Sequence, residues 1–434
     1  MKGFPIILLL ALSPLLAIAQ VNYAVSGDTA MVTNSPNASG NIVIASSYDG
    51  YPVTSIGDAA FFGCTELTGV TIPGSVTTIG DIAFWSCSSL TAVTIPNSVT
   101  SIGDGAFDAC SSLANVTIPD GVTNIGESAF WSCSSLTAVT IPGTVTSIGD
   151  NAFTECTSVT SVIISDGVTS IGDNAFYDCT NLTSVTIPES VTNIGAGPFA
   201  FCTGLTNISV DAGNPGYLSL GGVLFNKSQN DLVQYPVGLQ PGAYSIPNNV
   251  TSVGEFAFYD CISLTNLTIP NSVTNIGDSA FGACSLITVT IPRSVISIGN
   301  QAFGLSDSLN AAYFQGNAPS EDGLAFQSSP ATTAYYLPGT TGWGTNFGGA
   351  ATALWYQPQP EVLSFEPSFG VQNGQFGFTI SWATNADVII RACTNLSNPA
   401  WIPLTTNILS GGTNYFSDSK WMNYPARYYG VSGP

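Results

Sequence analysis

Histidine is absent from the 434 residues, and only six are Lys or Arg. Without His there is no Ser-His-Asp or Cys-His nucleophile pair and no His-containing zinc site. The phosphate cradles GxxxxGK with Ser or Thr, and GxGxxG opening a helix, are missing too. Scarce cations exclude the basic footprint that nucleic acid or an anionic membrane requires. Charged residues make up 8% of the chain, so Ser, Thr, Asn and Gly must cover most of its surface. Beyond residue 19 no stretch stays apolar for the roughly 20 residues that a membrane helix needs. Paired carboxylates are the catalytic device that composition leaves open, and the acidic residues fall in register as a ladder. No enzyme activity, catalytic residue, cofactor or metal ligand is expected.

What the chain does contain is a repeat. Residues 79–101, IGDIAFWSCSSLTAVTIPNSVTS, set a pattern whose Ile-Gly step returns at Ile56, Ile79, Ile102, Ile125, Ile148, Ile171 and Ile194, then at Val253, Ile276 and Ile298. The spacing is 23 residues, once 22, apart from one gap of 59. A unit this short cannot close a core alone and must bury its apolar side against its neighbours, which makes the fold a solenoid. Val93 and Ile95 alternate with Ala92 and Thr94 as in a half-buried strand, which Pro96 ends. Val99 and Ile102 point inward again, and Gly103 allows a tight bend. Asp104 is placed to cap a short helical turn carrying Ala106, Phe107 and Cys110. The expected coil is strand, corner, short return, helical turn.

The string IGDxAFxxCxxLxxVxIPxxVxxIG resembles the BspA-type leucine-rich repeat of secreted and surface proteins, mostly bacterial. The resemblance covers roughly 22–355, since the entry NYAVSGDTAMVTNSP and the exit YYLPGTTGWGTNFGGAATALW look like that family's terminal segments. It implies a solenoid used for binding, through protein-protein or cell-surface recognition, and brings no catalytic residues with it.

The organisation expected is a signal peptide at 1–19, an N-terminal β cap at 20–54, and the leucine-rich repeat solenoid at 55–319. A hairpin insertion falls at about 211–247, a C-terminal cap at 320–356, a Pro-containing linker at 357–362 and a small β-sandwich-like domain at 363–434. Lys2, the apolar run to Ala19 and the small-residue site Ala17-Ile18-Ala19 carry the export reading. Cleavage leaves 5 basic against 27 acidic residues, a net charge of −22. The last domain resembles short C-terminal domains that recur on unrelated secreted bacterial proteins, which suggests attachment or sorting. The destination is extracellular or the outer cell surface, and the partners an extracellular protein or a glycan.

Four repeat positions form ladders. Cys64, Cys87, Cys110, Cys133, Cys156, Cys179, Cys202, Cys261 and Cys284 share one, and in-register side chains about 4.8 Å apart fit disulfide torsions poorly, so a buried reduced row is expected. Asp58, Asp81, Asp104, Glu127, Asp150, Asp173, Glu255 and Asp278 share another, as caps or as a calcium edge that lacks a dense oxygen loop. A third, from Thr71 and Thr94 to Thr290, is a polar strand row. The fourth, just after the buried Phe, carries Phe62, Trp85, Asp108, Trp131, Thr154, Tyr177, Ala200 and Tyr259. Trp85, Trp131 and Tyr177 lie in alternate copies, about 10 Å apart at strand spacing, which suits stacking along a sugar chain or contact with a partner as well as it suits packing. Phe62, Trp85, Trp131, Tyr177 and Tyr259 are the candidate ligand contacts.

Overall fold

A computed structural model describes residues 21–433 except 240–241, 322, 358 and 365–368. The segment read as a signal peptide lies outside the described residues. Along each coil Val93 and Ile95 are buried while Ala92 and Thr94 are exposed, as their alternation requires. The strand Ala92–Thr94 pairs in parallel with Leu67–Thr71 on one side and Asn115–Thr117 on the other, Val70, Val93 and Val116 lying in register. The short return strands form a second parallel ladder, Ile56 beside Ile79, Ile102, Ile125, Ile148, Ile171 and Ile194. The core fills the space between these ladders.

The third side of the coil is not helical. In place of the expected helical turn runs a chain of tight turns with two left-handed residues, such as Ile82 (φ 47°) and Ser86 (φ 58°). That alternation aims every second N–H at the next coil: Ile82, Phe84 and Ser86 donate to the carbonyls of Asp104, Ala106 and Asp108. A helix would satisfy those groups internally and leave the coils unjoined here. Left-handed backbone is unfavourable for a β-branched residue such as Ile82, and the bonds to the next coil hold it there.

Two roles change with this geometry. Asp104 does not cap its own turn, because its Oδ1 accepts the N–H of Glu127 in the next coil at 2.8 Å, just as Asp81 accepts from Asp104 at 2.9 Å. Gly103 is needed for close approach rather than for a bend. A Cβ there would lie 2.5 Å from the Asp81 carboxylate and 2.7 Å from the Gly80 carbonyl carbon.

Inside, the repeated Phe side chains stack face to face from Phe61 to Phe199, with centroids 5.0 to 5.7 Å apart. The cysteines are free and buried. Each thiol of the run from Cys87 to Cys202 donates to the carbonyl of the Phe in the preceding coil, as Cys133 does to Phe107 at 3.2 Å. Burial pushes the Cys87 and Cys156 thiols up to about 12, so they keep the proton they donate. Where the column changes to Ser306 and Ser329 the hydroxyl makes the same bond, Ser329 to Phe303 at 2.9 Å. The column therefore selects a small buried donor.

The inserted segment holds more than a hairpin. Tyr217–Leu220 and Val223–Asn226 pair antiparallel, but Asp231–Gln234 then runs parallel to Ser252–Val253, with Leu232 opposite Val253. Leu232 thus stands where other coils place Ile, and Tyr235 stacks on Phe258 at 4.8 Å as the Phe of a degenerate coil. The stack then continues through Phe281 and Phe303 to Phe326. Strand pairing persists past the last clear copy, from Ala311–Phe314 through Thr333–Tyr336 to Ala350–Leu354. At the other end Asn22–Ser26 lies antiparallel on Thr29–Thr33. From Glu361–Leu363 onward two antiparallel sheets enclose Phe378, Ile380, Val388, Ile390, Leu409 and Phe416.

Phe130 is fully buried between Phe107 and Phe153. Phe130→Ala should cost about 3–5 kcal/mol in urea unfolding, and a loss under about 1 kcal/mol would contradict its place in the stack. Cys133→Ser should stay within about 1 kcal/mol of the wild type in the same assay, because the hydroxyl inherits the thiol's acceptor.

Candidate binding surface: the aromatic and acidic flank

The turn ladder turns two side-chain columns toward solvent, because the residue after each buried Phe cannot share its direction and the next one is left-handed. The first column holds the sequence-derived candidates. Phe62 stacks on Trp85 with centroids 4.5 Å apart, and the Trp85 Nε1 donates to Asp108 Oδ2 at 2.9 Å. Trp131 is half-buried one coil beyond Asp108. Thr154 turns inward, buried, with its hydroxyl on the Asn174 carbonyl. Tyr177 tilts against Phe201 at 5.0 Å, and Phe201 meets Tyr259 at 4.9 Å.

Four of the five candidates therefore fall into two groups, Phe62 with Trp85, and Tyr177 with Tyr259 joined through Phe201, and Trp131 belongs to neither. The second arises because the degenerate coil at Leu232 lacks the full turn, letting the flanks on either side of the insertion meet. A Cβ on Gly197 would lie 3.0 Å from Phe256, itself 5.4 Å from Tyr259. Sequence reading did not single out Phe201 or Phe256, because their columns are mostly small or polar in other copies.

The second column, one residue on, was also missed. It reads Ser86, Ala109, Ser132, Glu155, Asp178, Phe201 and Asp260, all at positive φ. Comparing the column itself from copy to copy would have found its carboxylates. Burial raises the pKa of Asp108, partly offset by the Trp85 bond and reinforced by Glu155. Burial and then Glu155 raise Asp178, and burial and then Asp178 raise Asp260. Ser132 donates its hydroxyl to Glu155. Beside the column runs an open groove of about 460 Å³ lined by Ser86, Ser111, Ser132, Ser134, Glu155 and Asp178, among others. No Lys or Arg occurs at 3–226 or at 228–292, so the full coils that build this flank supply no cation to it. Among the described residues one ion pair forms, Arg427 with Asp418 at 2.8 Å in the C-terminal domain. No group of three potential ligands for a metal ion occurs among the described residues.

Segments 41–156, 123–214 and 242–346 match the BspA type leucine rich repeat region, in six copies. The chain belongs to this family. Among solved structures, a leucine rich cell surface protein from Faecalibacterium prausnitzii A2-165 is 30% identical, with a TM-score of 0.60 over 74% of this chain and 93% of the other. The pneumococcal vaccine antigen PcpA shares the fold at 19% identity and a TM-score of 0.53, over 74% of this chain and 86% of the other. Comparison with curated proteins gives no match. BspA-type repeat proteins are generally non-catalytic and are typically secreted or placed at the cell surface, where repeat arrays bind other proteins. No helix among the described residues is long and apolar enough to cross a membrane.

Asp108, Asp178, Asp231, Glu255, Asp260, Glu321 and Glu361 all titrate above their ordinary values of 3.8 or 4.5, with burial as the largest cause. The folded chain thus holds protons that the unfolded chain has already released. Stability falls as pH climbs from the ordinary carboxylate range through the raised values. Scanning fluorimetry should therefore show Tm rising as pH is lowered from 7 to about 5; a Tm that falls over that interval would contradict the assignment.

Proposed function

We propose that the protein is a non-catalytic, exported recognition protein whose early coils present their acidic and aromatic flank to a Lys- and Arg-rich segment of an extracellular protein. The observation that carries this reading is the uncompensated charge: Asp108, Glu155, Asp178 and Asp260 lie along one edge with no ion-pair partner among the described residues, beside half-buried Trp85, Trp131, Tyr177 and Tyr259, and burial first, then neighbouring carboxylates, raise the pKa of Asp108, Asp178 and Asp260. Cationic side chains relieve that repulsion and lie favourably over aromatic faces. Residues 1–19 serve export in this reading. The solenoid is the platform, and 363–434 attaches or sorts it.

A glycan stacked on Trp85 and Trp131 is the second reading, supported by their two-coil separation. It is the weaker of the two, since the Trp85 indole N–H is already used by Asp108 and Phe62 covers one of its faces.

The test is binding of the mature chain to immobilised oligolysine and to an uncharged peptide, at low and high salt. Asp108→Asn, Glu155→Gln and Asp178→Asn together should weaken oligolysine binding about tenfold at a Tm no lower than that of the wild type, three modest ion pairs summing to that effect. Neutralising three exposed acids elsewhere, Asp28, Asp49 and Glu66, controls for net charge. Equal loss in both triple variants, or binding that ignores salt, would sink the proposal. Retention on insoluble polysaccharide that disappears with Trp85→Ala and Trp131→Ala together, at unchanged Tm, would favour the second reading.

A further inference from the structure

The strand face carries a surface of different chemistry. Its outward row runs through Ser245, Thr268 and Thr290 and then changes to Tyr313 and Tyr335, in register and stacked with centroids 5.2 Å apart. Trp355, entering from the strand beyond Tyr335, reaches within 4.8 Å of Tyr313. Tyr335 stacks on the Tyr313 ring from the strand beyond, and the in-register neighbour on the other side is Thr290.

Thr290 also lines a groove of about 540 Å³ over the preceding coils. Asn248, Asn271, Ser272, Thr268, Thr290 and Gln315 supply its polar lining, over an apolar floor that includes Ile269 and Pro270. No charged side chain lines it, in a chain with 27 acidic residues. The counterparts of Ser272 in earlier coils, Ser98 and Ser190, donate to the carbonyls of Val76 and Val168 at 2.6 and 2.7 Å, whereas the Oγ atoms of Ser272 and of Ser294 in the next coil are buried without a hydrogen-bond partner.

We propose that this groove binds a neutral polysaccharide, with the half-buried Tyr313 ring next to Thr290 as the stacking surface at its edge and Asn248, Asn271 and Gln315 as the polar contacts. A sugar ring offers an apolar C–H face and a rim of hydroxyls, which match an aromatic ring at the edge of a lining of amides and hydroxyls over an apolar floor. An acidic chain is disfavoured, since the groove has no cation and the protein repels anions. The site shares no residue with the flank, so either proposal can fail without the other.

The test is affinity electrophoresis of the full chain through gels containing hydroxyethylcellulose, laminarin, galactomannan or soluble starch, with alginate as the acidic control. At least one neutral polymer should retard the wild type, and alginate should not. Tyr313→Ala should weaken retardation roughly tenfold, as loss of an aromatic stacking partner does, and Trp85→Ala should leave it unchanged. Because Tyr313→Ala also opens a ring stack, Asn271→Ala at an exposed position serves as the second variant, with Tm measured for both. Absence of retardation in all four neutral gels would overturn the proposal. So would wild-type retardation in both variants, or a loss that follows Trp85 and not Tyr313.

Discussion

Each coil of this protein is completed only by the next one. Along the turn side every second N–H is aimed outward along the solenoid axis, and its acceptor lies roughly one repeat further on: Ile82 to Asp104, Phe84 to Ala106, Ser86 to Asp108. The two strand ladders add their own bonds, and the Cys thiols and Asp carboxylates pin side chains to backbone in neighbouring coils. An isolated unit would leave these groups unpaired around a core open at both ends, so stability is a property of neighbours rather than of units. The close approach that makes the bonds possible also explains why the glycine of the Ile-Gly step is constant in every copy, Val253-Gly254 included. A Cβ at Gly80, Gly103 or Gly126 would run into the backbone of the preceding coil at under 3 Å.

The same constraint decides where function can reside. Core columns are fully committed, with the Phe, Cys and Leu positions almost completely buried throughout. Variation is tolerated only in columns that face outward, and there the chain becomes individual. The column after the buried Phe ranges from Trp to Ala, the next from Ser to Glu and Asp, and the strand row from Thr to Tyr. Repetition converts each such column into a surface with a period near 5 Å, as the stacked Phe centroids show. Two neighbouring substitutions therefore make a patch, and the absence of Lys and Arg from 3 to 226 makes the flank patch acidic without relief.

The insertion shows the cost of breaking the register and how the fold absorbs it. The parallel return ladder stops at Asn193–Ile194, where the Ile194 N–H is taken by the Tyr217 hydroxyl at 2.8 Å. A shortened coil built on Leu232 and Tyr235 restarts it. Because that coil lacks the full turn, Phe201 and Tyr259 meet across it, and carboxylates from both sides, Asp178 and Asp260, come within electrostatic reach.

The sequence by itself determined the period, the inward columns and the parallel stacking, because a fixed 23-residue repeat with invariant apolar positions has one way to bury them all. Val93, Ile95, Val99, Ile102, Phe107 and Cys110 are buried where their spacing put them. It did not determine the conformation of the turn. Short polar-apolar runs such as GDGAFDAC satisfy a helical period locally, and only the demand for hydrogen bonds between coils selects the left-handed alternation instead. The same demand moved the Asp carboxylates from capping their own turn to bridging coils. Which exposed aromatics meet was likewise a tertiary decision: Phe201 reaches Tyr259 across 58 residues because the intervening chain folds out as a hairpin and a shortened coil, and no column of the repeat encodes that distance.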